Sequence, residues 1–231
     1  MRIPPAARSV PKAGRFPDEN EDAYALNPAV GRYAVADGVS TAARPEVWSS
    51  LLVQAFAEGS DNVFDAAALH GLAEQWRAQT IGPDLPWYAQ EKLSQGSSAT
   101  FLGLRVDHAS GEFSAEAVGD TCLFHVRGPR LLCSYPLTDS RDFTNTPAQL
   151  STTARRQPSP ARLFGHARPW DQLVLATDAM SKFLLLVHER RRQFPALIDL
   201  VTGSHFAEYV ELHRSLQRLD NDDTTLCVVT V

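Results

Sequence analysis

The sequence predicts an α+β fold, in which strands and helices form separate groups along the chain. Short β-rich segments joined by glycine-containing turns follow one another between residues 98 and 135, and such tight connections favour antiparallel pairing. Segments with helical periodicity lie before and after this group. The length of 231 residues, 44% of them hydrophobic, suits a single folded domain over 1–231.

The first third of the chain predicts an extended entry, one strand and two helices. Four prolines among the first 19 residues disfavour a helix there. The apolar run over 33–36 predicts a strand that enters a turn at Asp37. Apolar residues with helical spacing predict one helix over 44–58 and a second over 63–78. The prolines of the next segment predict a loop over 81–87.

The middle of the chain predicts consecutive strands, and Gly119-Asp120 between two of them is interpreted as a hairpin turn. The predicted strands cover 98–106, 112–118, 121–126 and 130–135. The stretch 143–170 has no Asp or Glu, four arginines and four prolines. We interpret it as a loosely structured insertion, flap-like around 138–170.

The last part of the chain predicts a strand, a helical region and a final strand. The run over 173–176 is apolar and short, as expected of a strand. A helical pattern extends from 179 to about 217. The β-branched residues over 224–231 predict a closing strand.

Composition excludes several classes of protein. A net charge of −5 disfavours a general nucleic-acid binder. Three cysteines without paired metal spacing suit a reducing compartment rather than a secreted disulfide scaffold. The apolar run over 183–187 is far shorter than the roughly 20 residues of a membrane span. No apolar segment follows the basic residues at the start, so we expect no signal peptide and a cytoplasmic location, with no membrane partner.

Acidic side chains lie beside four of the predicted strands. They are Glu21-Asp22, Asp37, Asp178, and the group Asp220, Asp222 and Asp223. Each alone has an ordinary interpretation, such as a helix N-cap for Asp178 or a turn for Asp37. Converging carboxylates repel one another unless a cation lies between them. Oxygen ligands favour Mg²⁺, Mn²⁺ or Ca²⁺ over zinc.

Six segments resemble, in the same order, the motifs of the metal-dependent type 2C serine/threonine protein phosphatases, the PPM family, of bacterial type. They read NEDAYAL, YAVADGVS, GSSATFLGLRV, VGDTCLFHVRG, LVLATDAMSKFL and DDTTLCVVTV. The resemblance implies a four-layer α/β/β/α sandwich of two antiparallel sheets flanked by helices. It also implies a monomeric hydrolase of phosphoserine and phosphothreonine that uses two Mn²⁺ or Mg²⁺ ions.

The resemblance assigns a role to each acidic motif. It implies that Asp37 bridges both cations, and that Asp178 and Asp222 bind one of them. Glu21 and the Gly38 carbonyl help to hold the other. Asp22 orients a metal-bound water, which attacks phosphorus without a covalent intermediate.

Several positions depart from the family pattern. Val39 follows Asp37-Gly38 where the family has a glycine pair. Pro17 occupies the usual position of the phosphate-binding arginine. Arg15 and Lys12 are therefore the candidates for binding the substrate phosphate.

The sequence bears on two other functions. A cysteine phosphatase needs Cys and Arg six positions apart, whereas Cys122 and Arg127 are five apart in a predicted strand. A catalytically weak module that binds a phosphoprotein or a kinase is the main alternative, since the glycine and arginine positions are altered. For the enzyme, the expected partners are a phosphorylated protein substrate and a Ser/Thr kinase.

Overall fold

A computed structural model describes residues 3–59, 63–82 and 87–231, with Tyr88 described by its backbone alone. The strands are β1 Ala6–Val10, β2 Asp22–Asn27, β3 Arg32–Gly38, β4 Ser98–Val106, β5 Glu112–Val118, β6 Cys122–Arg127, β7 Arg130–Tyr135, β8 Leu150–Ser151, β9 Ala161–His166, β10 Gln172–Ala176 and β11 Thr224–Thr230. The helices are α1 Pro45–Glu58, α2 Ala66–Thr80, α3 Trp87–Gln95, α4 Asp178–Arg191, α5 Ile198–Thr202 and α6 Phe206–Ser215. No helix in the described part of the chain is long and apolar enough to cross a bilayer.

Two antiparallel sheets form the centre of the molecule. The first sheet has the strand order β1-β11-β10-β6-β7. The second sheet has the order β2-β3-β4-β5-β9, and β8 pairs with β4 beside this path. All of these pairs are antiparallel, as the tight connections predict.

Three apolar cores separate four layers. Between the two sheets lie Leu102, Leu104, Leu123, Leu175 and Val229. A second core joins the second sheet to α1 and α2 and contains Trp48, Phe56, Phe101 and Trp76. A third core joins the first sheet to α4, α5 and α6 through Phe124, Leu184 and Phe206. The order helix, sheet, sheet, helix confirms the predicted sandwich.

The predicted hairpin at Gly119-Asp120 is wrong, because β5 and β6 belong to different sheets. The chain crosses from the second sheet to the first at this point. Gly119 has φ +97°, and a Cβ on it would lie 2.6 Å from the Thr100 side chain and 2.8 Å from the Ala148 carbonyl. The glycine therefore serves a close crossing rather than a two-stranded turn.

The helical predictions are confirmed before the strands and only in part after them. Helix α1 ends at Gly59, whose left-handed conformation (φ +76°) stops it. The continuous helical pattern predicted to 217 is divided into α4, α5 and α6, since Arg192 is left-handed (φ 56°) and Pro195 follows. Helix α3 was not predicted, and the predicted loop over 81–87 falls mainly on 83–86, outside the described residues.

The acid-free stretch 143–170 contains two strands that the sequence did not predict. Strand β9 pairs with β5 over six positions, from Glu112 opposite His166 to Ala117 opposite Ala161. Strand β8 pairs with β4 at Ser98 and Ala99. Part of this stretch is therefore the edge of the second sheet.

Candidate active site

Strands β2 and β3 bring the first two aspartates together. Asp22 and Asp37 face each other across this antiparallel pair. The Gly38 amide donates to the Glu21 carbonyl at 3.2 Å. A Cβ on Gly38 would lie 2.7 Å from that carbonyl oxygen and 2.8 Å from Pro45 Cβ. Only glycine fits here, which fixes the backbone beside both aspartates.

The first sheet contributes from the ends of β10 and β11. Thr177 follows β10 directly, and its hydroxyl donates to Asp22 Oδ2 at 2.9 Å. The same hydroxyl accepts from the Thr225 amide at 2.9 Å. Asp178 begins α4, and Asp222 precedes β11. One threonine thus joins the two sheets at the point where the acidic motifs meet.

Five aspartates from separate segments form what we call the aspartate cluster: Asp22, Asp37, Asp120, Asp178 and Asp222. Burial raises the pKa of Asp37 well above its ordinary value, and the charges of the other four raise it further. Burial, followed by the charges of Asp120 and Asp222, raises the pKa of Asp178 to about 7. The cluster is therefore one electrostatic site.

Asp120 is a member that the sequence analysis did not propose. Burial raises its pKa to about 6, and it stands at the crossing between the sheets. The Gly119-Asp120 motif is a signal in the sequence that could have identified it. A hairpin turn within one sheet, however, would not place Asp120 between the two sheets.

Asp223 has a positioning role that was also missed. One of its carboxylate oxygens accepts from the Lys12 amide at 2.7 Å, and the other accepts from the Glu21 amide at 2.7 Å. Arg214, which is buried, donates to the carbonyls of Pro11 and Asp222. These bonds tie the entry segment and the turn before β11 to one another.

Lys12 contacts acidic residues of the candidate site, whereas Arg15 pairs with an acidic residue outside it. The Lys12 ammonium lies 3.4 Å from Glu21 Oε2, 3.8 Å from Asp222 Oδ1 and 3.0 Å from Ser40 Oγ. Burial lowers the pKa of Lys12, but the charges of Glu21 and Asp222 outweigh burial and raise it overall. Arg15 is exposed and pairs with Glu19 at 2.7 Å.

Cys122 does not provide a nucleophile. Cys122 is fully buried, and burial raises the pKa of its thiol to about 12. A thiol with such a pKa remains protonated at neutral pH, and a cysteine phosphatase needs the thiolate. The structure thus argues against the cysteine mechanism, as the sequence spacing does.

The aspartate cluster has the donor chemistry of a site for hard divalent cations. Asp22 Oδ1 and Asp120 Oδ1 are buried and accept no hydrogen bond from the described residues, a costly state for a carboxylate. As placed, no group of three or more His, Cys, Asp or Glu side chains within 3–59, 63–82 and 87–231 could hold a metal ion. The residues fit cations in chemistry, and their side chains would need to converge further to bind one.

No family model and no curated protein matches the sequence. Among solved structures, the photosystem II phosphatase PBCP is 17% identical with a TM-score of 0.64, over 99% of this chain and 98% of that one. The Mycobacterium tuberculosis serine/threonine phosphatase PstP/Ppp is 19% identical with a TM-score of 0.64, over 100% and 99%. The catalytic domain of PstP in complex with two manganese ions is 20% identical with a TM-score of 0.60, over 97% and 96%. Over nearly its whole length, this chain has the fold of the serine/threonine phosphatases to which its motifs are similar.

Proposed function

We propose that this chain is a metal-dependent phosphatase that hydrolyses phosphoserine and phosphothreonine monoesters of proteins. The observation that carries the proposal is the aspartate cluster, in which half-buried carboxylates with raised pKa values lie at the junction of two sheets. Solved structures with this fold are serine/threonine phosphatases, one of them in complex with manganese ions. Both observations favour a hydrolase of the type 2C kind.

The chain offers oxygen ligands for two Mn²⁺ or Mg²⁺ ions. Asp37, whose pKa is raised by the charges of all four other members of the cluster, is the candidate for contact with both cations. Asp178 and Asp222 are assigned to one cation, and Glu21 with the Gly38 carbonyl to the other. When bound, such cations lower the pKa of a coordinated water and neutralise phosphate charge.

Asp22 is assigned to orient the attacking water. The Thr177 hydroxyl holds one of its oxygens, Oδ2. The other, Oδ1, is buried and has no hydrogen-bond donor among the described residues. Because Oδ2 is held in place, Oδ1 has a defined position from which it can accept a hydrogen bond from the water and orient it.

Lys12 is the better of the two candidates for the substrate phosphate. Its ammonium already lies beside Glu21 and Ser40 at the edge of the site, and ammonium is a good donor to phosphate oxygens. The Arg15 guanidinium is bound to Glu19. The lysine thus replaces, from a different position, the arginine that is missing at Pro17.

Phosphate release from p-nitrophenyl phosphate and from a phosphoserine peptide tests the function. After chelation, the protein should be inactive, and added Mn²⁺ or Mg²⁺ should restore turnover. Asp37→Asn should reduce turnover on the order of 100-fold or more, because even residues behind metal ligands typically contribute 10- to 100-fold. Asp199→Asn, an exposed aspartate on α5, is the matched control and should remain active.

Two results would contradict the proposal. One is the absence of turnover with either substrate at any metal concentration, which would favour the alternative of a binding module. The other is full activity of Asp37→Asn after the metal has been removed and restored.

A further inference from the structure

A second charged cavity lies on the outer helical layer, between α4 and α6 and the turn that follows α6. It has a volume of about 560 Å³. Its floor contains Phe183, Tyr209 and His213, with ring centroids 4.7 Å apart for Phe183 and His213 and 4.4 Å apart for Tyr209 and His213. Three arginines line it, and we call it the arginine groove: Arg190, Arg191 and Arg218.

The arginines of this groove have no ion-pair partner in the described part of the chain. Among the described residues, no ion pair involves Arg190, Arg191 or Arg218. The nearby carboxylates of Asp220 and Glu211 form ion pairs with other residues, namely Lys182 and Arg214. No carboxylate of the described residues lines the cavity. The groove therefore carries a local positive charge, although the net charge of the whole chain is −5.

The positive field reaches the floor of the groove. Burial lowers the pKa of His213, and the charges of Arg218 and Arg191 lower it further. Its Nδ1 atom is buried and has no hydrogen-bond partner among the described residues. Helix C-termini near this point complement arginine, but each carries only about half an elementary charge. Three guanidinium groups therefore leave a net positive site.

The groove is connected to the aspartate cluster by one row of side chains on α4. Asp178, Lys182, Leu186 and Arg190 are spaced by four residues and form an i, i+4 row. The rise along the helix from Asp178 to Arg190 is about 18 Å. An extended peptide covers about 3.3 Å per residue, so five or six residues would span this distance.

We propose that the arginine groove binds an acidic segment of the protein substrate, five or six residues from the phosphorylated residue. Guanidinium groups pair with carboxylates through two parallel hydrogen bonds, and the aromatic floor accommodates the aliphatic part of Glu side chains. The inference rests on the proposed phosphatase function. It adds a substrate class, namely phosphoproteins with carboxylates at a fixed distance from the phosphate.

Matched phosphoserine peptides test the proposal. Three Glu or three Gln are placed five to seven residues before or after the phosphoserine, and kcat/KM is measured for each. For one of the two placements, before or after the phosphoserine, kcat/KM should be about tenfold higher for the Glu peptide than for its Gln counterpart. The difference should lie mostly in KM, as expected for one or two charge-assisted pairs. The double variant Arg191→Gln/Arg218→Gln should remove this preference and leave turnover of p-nitrophenyl phosphate unchanged.

A second double variant provides a control of equal charge. Arg155→Gln/Arg156→Gln changes the basic cavity between α2 and the acid-free stretch, and it should keep the preference for Glu. The proposal is overturned if neither Glu peptide is preferred, or if the preference is lost in this control and kept in Arg191→Gln/Arg218→Gln.

Binding without hydrolysis separates the groove from the catalytic proposal. A fluorescein-labelled Glu-rich peptide that lacks phosphate should bind the wild-type protein more tightly than it binds Arg191→Gln/Arg218→Gln. This anisotropy difference is expected even if the protein hydrolyses no substrate. Equal binding by the two proteins would overturn the proposal that the arginine groove binds acidic segments, whatever the phosphatase assays show.

Discussion

At the level of one residue, Lys12 connects the entry segment of the chain to the acidic residues of the candidate site. Its amide is held by Asp223 and its ammonium lies between Glu21, Asp222 and Ser40. A side chain placed in this way offsets the acidic charge, and we propose that it binds the substrate phosphate.

Lys12→Met should raise KM for p-nitrophenyl phosphate more than it changes kcat, because binding of the phosphate loses a charged donor. A change on the order of tenfold corresponds to about 1.4 kcal/mol. Arg15→Gln, which removes a cation that is paired with Glu19, is the comparison and should differ little from the wild type. The reverse order of effects would assign the phosphate to Arg15.

Cys122→Ser should leave kcat close to that of the wild type. The thiol is fully buried with its pKa raised to about 12, so it contributes to packing rather than to chemistry. Thermal melting shows whether the variant is folded, and phosphate release is measured on the same sample. A folded variant without activity would contradict a water nucleophile.

At the level of elements, the packing of β4 on α1 depends on a glycine. A Cβ on Gly103 would lie 2.5 Å from the ring of Phe56, and this ring is fully buried against Phe101. Gly103→Ala should therefore lower the free energy of unfolding by about 1–3 kcal/mol, as overpacked cores do. Urea denaturation measures the change.

Two further variants check this cause. Phe56→Leu should lower the free energy of unfolding less in the Gly103→Ala background than in the wild type, since the smaller side chain relieves the overlap. Gly71→Ala lies on α2 with no atom within 4 Å of the added Cβ, and it should stabilise the protein by about 0.5–1 kcal/mol. Additive effects of Gly103→Ala and Phe56→Leu would show that the two residues are not in conflict.

The sequence predicted the elements whose hydrophobic period is unambiguous. Helix α1 and strands β4 to β7 lie within a few residues of their predicted bounds, because the apolar residues repeat with the period of one structure. Strand β9 was missed, since its sequence ARLFGH lies at a sheet edge and is largely exposed, without the apolar alternation that marks a half-buried strand. Edge strands are stabilised by pairing with a neighbour that local sequence does not show.

The candidate site was predicted through its motifs rather than through its geometry. The charges of Asp22, Asp178 and Asp222 act on Asp37, and the metal-binding roles that the resemblance implies for these residues stay a prediction. Asp120 was missed because the distinction between a hairpin and a crossing depends on which sheet each strand joins. That choice is made by long-range packing, which a turn sequence alone does not encode.

At the level of the whole molecule, the aspartate cluster makes the metal-free protein sensitive to pH. A carboxyl group whose pKa is about 7 when folded and near 4 when unfolded holds its proton more tightly in the folded state. Its contribution to stability is complete below about pH 4 and is lost as the pH rises to 7. Chelated protein should therefore melt at a lower temperature at pH 7.5 than at pH 5.5.

Asp178→Asn provides the comparison for this pH effect. Without the titrating group, the free energy of unfolding should fall less steeply with pH between pH 5 and 7. The slopes of the variant and the wild type should differ by on the order of 1 kcal/mol per pH unit. Identical slopes for the variant and the wild type, measured by urea denaturation with chelator present, would contradict the assigned cause.

The measurement that tests the central claim most directly is the melting temperature as a function of Mn²⁺ concentration for Asp178→Asn, Asp222→Asn and the double variant. Asp178 and Asp222 come from the two ends of the first sheet's β10–β11 connection and are proposed to share one cation. Mn²⁺ should raise the melting temperature of the wild type by mass action. Each single variant should weaken this rise and remove most phosphate release, and the double variant should lose little more. Independent, additive losses would contradict a shared cation, and with it the two-metal site on which the proposed function depends.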